Sequence, residues 1–514
     1  MAMGLVLAAC SSDDEPAEPD TTGGTAPAAA GDADPEGVIT VGYDLVQPGA
    51  GGLQLDPGLL TTDTNDGLLY LIYGRLMRPT ADGGLEPDMA ESVTVVDPNT
   101  IEVVVREGQT FHDGTPFDAA AVKAGLDRTL NSGNTRGIPG AFYSLSAVEV
   151  TGENTVTLTI NDGTAAAWVD TFMGRWPTSI VKEGTDFTKP VGAGPMVVTS
   201  YTRDQQLVLD KFDDFWDADA VLTGGLDIQN ISSSQAQSAL AALDAGQVDF
   251  APIEPNQIAT LSGSIEELVV PDPNRLMSMP LCKRDAPLDD ARVRQAINKA
   301  IDREAISEAV FAGTADPATE LWPEGHRFYD PSVADVLAYD VEAAKQLLQE
   351  AGYADGFSLD LYSMTALNLP DVAAVAKQQL AEIGVTLNII PAPGIVNDFF
   401  NPQPPGAALI PLMNPGTAKL QQWTGDVTGN TCRWNDQELN DLYAELSRVS
   451  ETSDEAVELW KQVDQLVSED ALSVLLMFGS NLAGYNSDVI ADVSFWPKDA
   501  LLLPNVYTTY VKAS

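Results

Sequence analysis

Cations, histidine and cysteine are scarce in this 514-residue chain. Lysine and arginine number 27 against 75 aspartates and glutamates, a formal charge of −48. Phosphate binding needs clustered cations, so this balance argues against nucleic acid as a partner. It suits a surface bathed in salt, where self-repulsion is screened. The two histidines, His112 and His326, lie far apart and neither stands in an HExxH pattern. Three cysteines, Cys10, Cys282 and Cys432, form no CxxC or Cys/His cluster, which removes the usual structural zinc site. No Gly-Lys dipeptide occurs and hence no Walker loop, so any ATP is hydrolysed by another subunit. Beyond the N-terminus, no segment approaches the roughly 18 consecutive apolar residues of a membrane span.

What is present is a folding composition. Hydrophobic residues make up 44% and aromatics are spread along the chain, enough for two or three globular units. The N-terminus is different in texture. Leu7-Ala8-Ala9-Cys10 resembles the bacterial lipobox, whose cysteine is lipidated and becomes the first residue of the mature protein. The apolar run before it is short and has no base, so residues 1–10 read as the tail of a longer signal peptide. Residues 11–36 hold eight acids and no base among Pro, Gly, Ala and Thr. Such a segment cannot bury enough apolar surface to fold and acts as a tether. A lipidated Cys10 would then anchor the protein outside the membrane.

Strand and helix signals alternate thereafter. "VITVGYDL" and "TIEVVVREG" alternate as strands, and strands recur at 146–160 and 196–212. Asp118 is placed to cap a helix over 119–130. "SSSQAQSALAALDAGQVDFAPI" reads as a helix closed by Gly246, then a strand. In "PLDDARVRQAINKAIDREAISEAVFAG", Val293, Ala296, Ile297, Ala300 and Ile301 mark one buried helical face. That helix starts at Asp289 or Asp290 and is stopped by Gly313. Asp340 and Gly352 bracket another helix, and a helix in "DVAAVAKQQLAEIGVTLNII" ends at Gly384 before a strand. "ALSVLLMFG" (471–479) is a buried strand. The pattern predicts an α/β fold, mixed sheets flanked by helices.

Six stretches, in order, resemble the extracellular solute-binding proteins of peptide and nickel ABC transporters, the dipeptide and oligopeptide binders. They are "LEPDMAESVTVVDPNTIEVVVREGQTFHDGTPFDAAAVKAGLDR" (85–128), "VGAGPMVV" (191–198), "ALDAGQVDF" (242–250), "PLDDARVRQAINKAIDREAI" (287–306), "YDVEAAKQLLQEAGY" (339–353) and "QLAEIGV" (379–385). Within them, Phe111, His112 and Asp113 are expected to fix a hairpin, with Arg292 and Arg294 on the polar side of a core helix.

The resemblance implies a two-lobed periplasmic-binding-protein clamp with a two-strand hinge. Lobe I is expected from 37–62, 189–276 and 482–514, an inserted domain from 63–188, and lobe II from 277–481. "RLMSMPL" (275–281) and "LLMFGSN" (475–481) are the expected hinge strands. A monomer of this kind would capture a peptide or other small solute and pass it to ABC permease subunits, with ATPase subunits on the cytoplasmic side. It implies no cofactor and no catalysis. It also implies a disulfide between Cys282 and Cys432.

Peptide-binding relatives pair an Asp, in a Trp…Asp…Asp-Pro stretch, with the peptide ammonium. The matching region here is "ALIPLMNPGTAKLQQWTGDVTGNTCRWND" (408–436), where Asn414-Pro415 replaces Asp-Pro and Asp426 is the nearest carboxylate. Further ligand-facing candidates are Tyr43, Asp44 and Gln47 after the first strand, Arg175 and Trp176 in "FMGRWP", and Trp423 and Trp434 opposite them. Nickel chelates and oligosaccharides are the alternative solutes, and a ligand sensor the alternative role. A hydrolase has one weak signal, the SxxK match Ser179-Ile180-Val181-Lys182, without its KTG and SDN companions. The acidic run 213–227 lacks Ca²⁺-loop spacing and should turn Phe215 and Trp216 inward.

Overall fold

The structure is a computed structural model of the whole chain. It describes residues 32–46, 53–60, 65–80, 84–134, 140–231, 236–365, 368–394, 398–399, 406–413, 416–424, 430, 432, 434–495 and 503–513. Cys10, Gln47, Asn414 and Asp426 lie outside these residues. Among the described residues, no helix is long and apolar enough to cross a membrane.

One mixed sheet runs through both lobes. Its strands are ordered Val385–Pro391, Phe357–Ser363, Ala407–Met413, Ile265–Pro280, Ser473–Asn486, Phe250–Pro252, Val38–Tyr43, Gly225–Asn230, Gln206–Lys211 and Met196–Thr202. The two central strands are long because they serve two cores. Ile265–Pro280 and Ser473–Asn486 pair antiparallel from Ile265 and Asn486 to Asp272 and Gly479. They skip 273–275 and resume at Leu276 and Phe478. Pro273 brings no N–H to the ladder, and extra residues on one strand bend it locally. The break falls at the start of the first expected hinge segment and inside the second. A separate antiparallel sheet is ordered Ala90–Asp97, Thr100–Val105, Thr155–Ile160 and Leu145–Val150.

The cores divide at the same crossing. One joins Ile39, Val41, Phe142, Trp168, Trp176, Leu226 and Phe250, so the small sheet packs onto the first lobe. Two others cover opposite faces of the far half of the large sheet. Val293, Ile297, Leu361, Leu380 and Leu476 form one, and Leu276, Trp322, Trp423, Trp460 and Phe478 the other.

Local signals explain most helix ends. Asp118 accepts from Ala121 N at 3.0 Å and Asp340 from Ala343 N at 2.9 Å. Asp290, and not Asp289, caps the helix Ala291–Lys299. The single helix expected to run on to Gly313 is two, because Asp302 caps a second helix, Arg303–Phe311, through Ala305 N. Arg292 pairs with Asp290 on the surface as expected, whereas Arg294 is buried. Its guanidinium donates to Leu288 O and Asp470 O, tying the helix start to the turn before Ser473–Asn486.

Two of the motif stretches meet. His112 N donates to Gly192 O at 2.8 Å, and its ring Nε2 lies 3.0 Å from Gly194 O. A Cβ at Gly194 would stand 2.5 Å from Leu71 O, so the loop carrying Gly192 and Gly194 requires glycine. These residues therefore build the scaffold. Phe215 is buried and Trp216 half-buried, its Nε1 donating to Asp88 Oδ1 at 2.9 Å.

Candidate functional site

Strand direction locates the site. In the first lobe, Phe250–Pro252 runs antiparallel to Ser473–Asn486, from Tyr485 toward Ala483, and so approaches the crossing at Gly479. Val38–Tyr43 and Gly225–Asn230 are parallel to it. In the second lobe, Ala407–Met413 approaches the same crossing, with Met413 opposite Arg275, and Phe357–Ser363 and Val385–Pro391 are parallel to it. Both parallel sets thus direct their carboxyl ends at the hinge from opposite sides. Solutes bind α/β sheets outside the carboxyl ends of parallel strands, so the crevice between the lobes is the candidate site.

Tyr43 and Asp44 stand at the end of Val38–Tyr43, as expected. Tyr43 is buried, and the half-buried Asp44 accepts Val46 N at 3.1 Å. Arg175 and Trp176 lie on a turn held from beneath. Arg75, fully buried, forms a two-pronged pair with Asp66 at 2.8 and 3.1 Å and also donates to Gly174 O. Asp66 Oδ1 accepts Trp176 N at 2.7 Å. Arg175 is half-exposed at that turn.

The three indoles expected as cleft walls are placed otherwise. Trp176 and Trp423 have no exposed surface and Trp434 has 2%. All three are core members, Trp423 donating to Ser473 Oγ at 3.2 Å. Large aromatic surfaces gain most when fully removed from water, and these sites accommodate them whole.

Composition gave no sign of the charged groups beneath the second lobe's floor. Lys419 is fully buried, donates to Leu321 O at 2.8 Å and lies 3.7 Å from the centre of the Trp322 ring. Phe478 of the crossing strand is 5.6 Å away. Burial lowers the Lys419 ammonium to about 7 against the pull of Asp464. Burial likewise raises Asp464 to about 8 and Glu320 to about 7. His326 stacks on Trp322 at 4.2 Å, and burial lowers its imidazole to about 4. Among the described residues no group of His, Cys, Asp or Glu is arranged to hold a metal ion.

The model of the bacterial extracellular solute-binding proteins, family 5 (middle region), matches residues 84–401. This chain belongs to that family. Glutathione-binding protein GsiB of Salmonella paratyphi A (strain ATCC 9150 / SARB42) is 32% identical over 366 residues, covering 67% of this chain and 68% of GsiB. The fold matches the ABC transporter substrate-binding protein CtaP of Listeria monocytogenes with a TM-score of 0.77 at 20% identity, over 93% of this chain and 100% of CtaP. It also matches the periplasmic murein tripeptide-binding protein MppA in its unliganded open form, with a TM-score of 0.76 at 16% identity, over 95% and 99% of the two chains. The two-lobed α/β architecture expected from the sequence is therefore that of the family.

Two further family-implied or chance signals have defined geometry. Cys282 and Cys432 are joined as a disulfide within the second lobe. In the SxxK match, Ser179 is buried and Lys182 Nζ is paired with Asp113 on the hairpin.

Proposed function

We propose that this chain is the solute-capturing lipoprotein of an ABC importer and that its solute is an oligopeptide or dipeptide. The observation that carries the reading is the convergence of two parallel strand sets on one two-strand crossing, in a chain of this family. A solute held between the lobes binds the closed form more tightly and shifts the open–closed equilibrium. The closed form then docks on the permease. Lipidation of Cys10 with the acidic tether 11–36 keeps the clamp at the outer membrane face.

The peptide reading is supported by relatives that bind glutathione and a murein tripeptide. Tyr43, Asp44 and Arg175 are the described groups we assign to the crevice, together with Gln47, Asn414 and Asp426. The chain does no chemistry in this reading: Lys182 faces Asp113, so the Ser179 hydroxyl has no base from its own motif.

Thermal-shift screening against di- to pentapeptides, nickel chelates and oligosaccharides tests the solute class. Peptides should raise the melting temperature, with no product formed. Stabilisation by oligosaccharides alone would replace the peptide reading. Asp426→Asn should weaken α-amino peptides far more than N-acetylated ones, since only the former bring an ammonium to the carboxylate.

A further inference from the structure

The lobes also meet away from the crossing strands. Asp170 lies in the last turn of the helix Ala165–Phe172, which the first lobe holds through Trp168, Val169 and Phe172. Its Oδ2 accepts Ser450 Oγ at 2.7 Å and Glu451 N at 2.8 Å. Both donors come from the turn between the helices Gln437–Leu446 and Asp454–Glu469, whose apolar faces belong to the second lobe's core.

Asp170 is not explained by its own lobe, whereas Ser450 Oγ also lies 2.8 Å from Thr452 Oγ1 within its own turn. A carboxylate in the last turn of a helix faces the negative end of the dipole, so Asp170 does not stabilise its helix. No Lys or Arg pairs with it among the described residues. The opposing turn is rigidly built before it meets Asp170. Ser453 Oγ donates to Ser450 O at 2.7 Å and Thr452 N to Ser450 Oγ at 3.1 Å. Arg327 holds the same turn through Glu451 O at 2.6 Å and Ser453 O at 3.1 Å. The turn thus presents one hydroxyl and one N–H, both aimed across the lobe boundary. Beside the contact, Arg448 borders the hollow formed by Pro98, Gly163 and Ala166 of the first lobe.

We propose that Asp170 is a closure latch: it takes Ser450 and Glu451 when the lobes shut and releases them when they part. The inference rests on the clamp reading of the two lobes. It assigns Asp170 as a positioning residue for capture, with no contact to solute required. Two hydrogen bonds to one carboxylate shift a closed-to-open ratio by about tenfold or more. A latch of that size biases the clamp without locking it. Apparent solute affinity scales with the closed-competent fraction, so losing the latch raises the apparent Kd by up to that factor, and by less where the closed form is already the major one.

Small-angle scattering of the full chain without solute tests this. The variants are Asp170→Ala and Ser450→Ala, with melting curves and far-UV circular dichroism to verify folding. Asp170→Ala should give a larger radius of gyration than the unmodified chain and Ser450→Ala an intermediate one, since Glu451 N still donates. If Asp170→Ala does not fold, Ser450→Ala alone decides between a shifted profile and an unshifted one. The unmodified chain is also measured with a mixture of di- to pentapeptides. Variants that scatter like the unmodified chain, while the peptide mixture compacts it, would overturn the latch and leave the clamp standing. No change with either variant or peptides would overturn the latch and count against the clamp as well.

Discussion

The side chain of Arg275 lies across the α-carbon of Gly479, at the break between the two crossing strands. A Cβ on Gly479 would stand 2.9 Å from Arg275 Cγ, and nearer still to Cδ. Asp272 is the last residue paired with Gly479 before the ladder skips to Leu276. The glycine is what lets a long side chain cross the hinge strand.

Gly479→Ala is therefore expected to destabilise the protein by about 1–3 kcal/mol, the usual range for overpacking a fitted site. Arg275→Ala in the same background should recover most of the loss. Urea unfolding of the two single variants and the double variant measures the coupling. Strict additivity would mean that the collision is not the source of the cost.

Arg75 and Asp66 carry a second prediction. The pair is buried, two-pronged, and fixes Gly174 O and Trp176 N in the turn that presents Arg175. Removing one partner leaves the other charge buried and uncompensated. Arg75→Ala or Asp66→Ala should each cost about 3–5 kcal/mol by chemical denaturation. Arg75→Lys should recover little, because an ammonium cannot match a planar fork set for several acceptors at once. Full recovery by lysine would show that charge alone matters there.

The sequence made legible what local chemistry decides. Asp118 and Asp340 announced their helices because an N-cap is a contact between residues three apart. Asp302 did the same for a second helix. Its signal is masked in the sequence because apolar spacing at Ala300 and Ile301 continues smoothly across the break. Trp176, Trp423 and Trp434 show the opposite limit. An indole suits a core and a ligand wall equally well in sequence, and only the surrounding packing chose the core. Asp66 and Arg75 are nine residues apart, but the group they hold is about a hundred residues on. Asp170 meets Ser450 across 280 positions. No composition or periodicity carries contacts of that range.

The disulfide that the family likeness implies gives a third prediction. Cys282 and Cys432 are 150 residues apart and both are buried in the core with Leu276, Trp423 and Trp434. Peptide mapping without reductant should recover the two as one linked species, and alkylation before reduction should label neither. Cys282→Ser with Cys432→Ser should cost about 2–5 kcal/mol, since the bridge restricts a long loop in the unfolded chain. Quantitative alkylation of both thiols in native protein would remove the bridge and this cost together.

The floor of the second lobe gives the pH dependence. Asp464 Oδ1 accepts Leu321 N at 3.1 Å and Glu320 Oε2 accepts Asp330 N at 3.0 Å. Burial nevertheless dominates, raising Asp464 to about 8 and Glu320 to about 7. The folded chain therefore binds protons that the unfolded chain has already released over the range from the ordinary carboxylate values up to these. Their contribution to stability falls as pH rises through that window, by at most about 1.4 kcal/mol per pH unit for each group. Lys419 acts in the opposite sense. Burial lowers it to about 7, so above that pH the unfolded chain holds the extra proton and stability recovers with rising pH. His326, lowered to about 4, likewise gains stability with rising pH up to the ordinary imidazole value and offsets part of the carboxylate loss. Together the four groups predict a decline to about pH 7, a plateau to about pH 8 and a rise beyond. Asp464→Asn keeps the acceptor for Leu321 N and cannot ionise. It should make the decline shallower and leave the variant more stable than the unmodified chain at pH 8. Urea midpoints at half-unit intervals would measure this, and parallel slopes for both proteins would show that Asp464 is not held protonated in the fold.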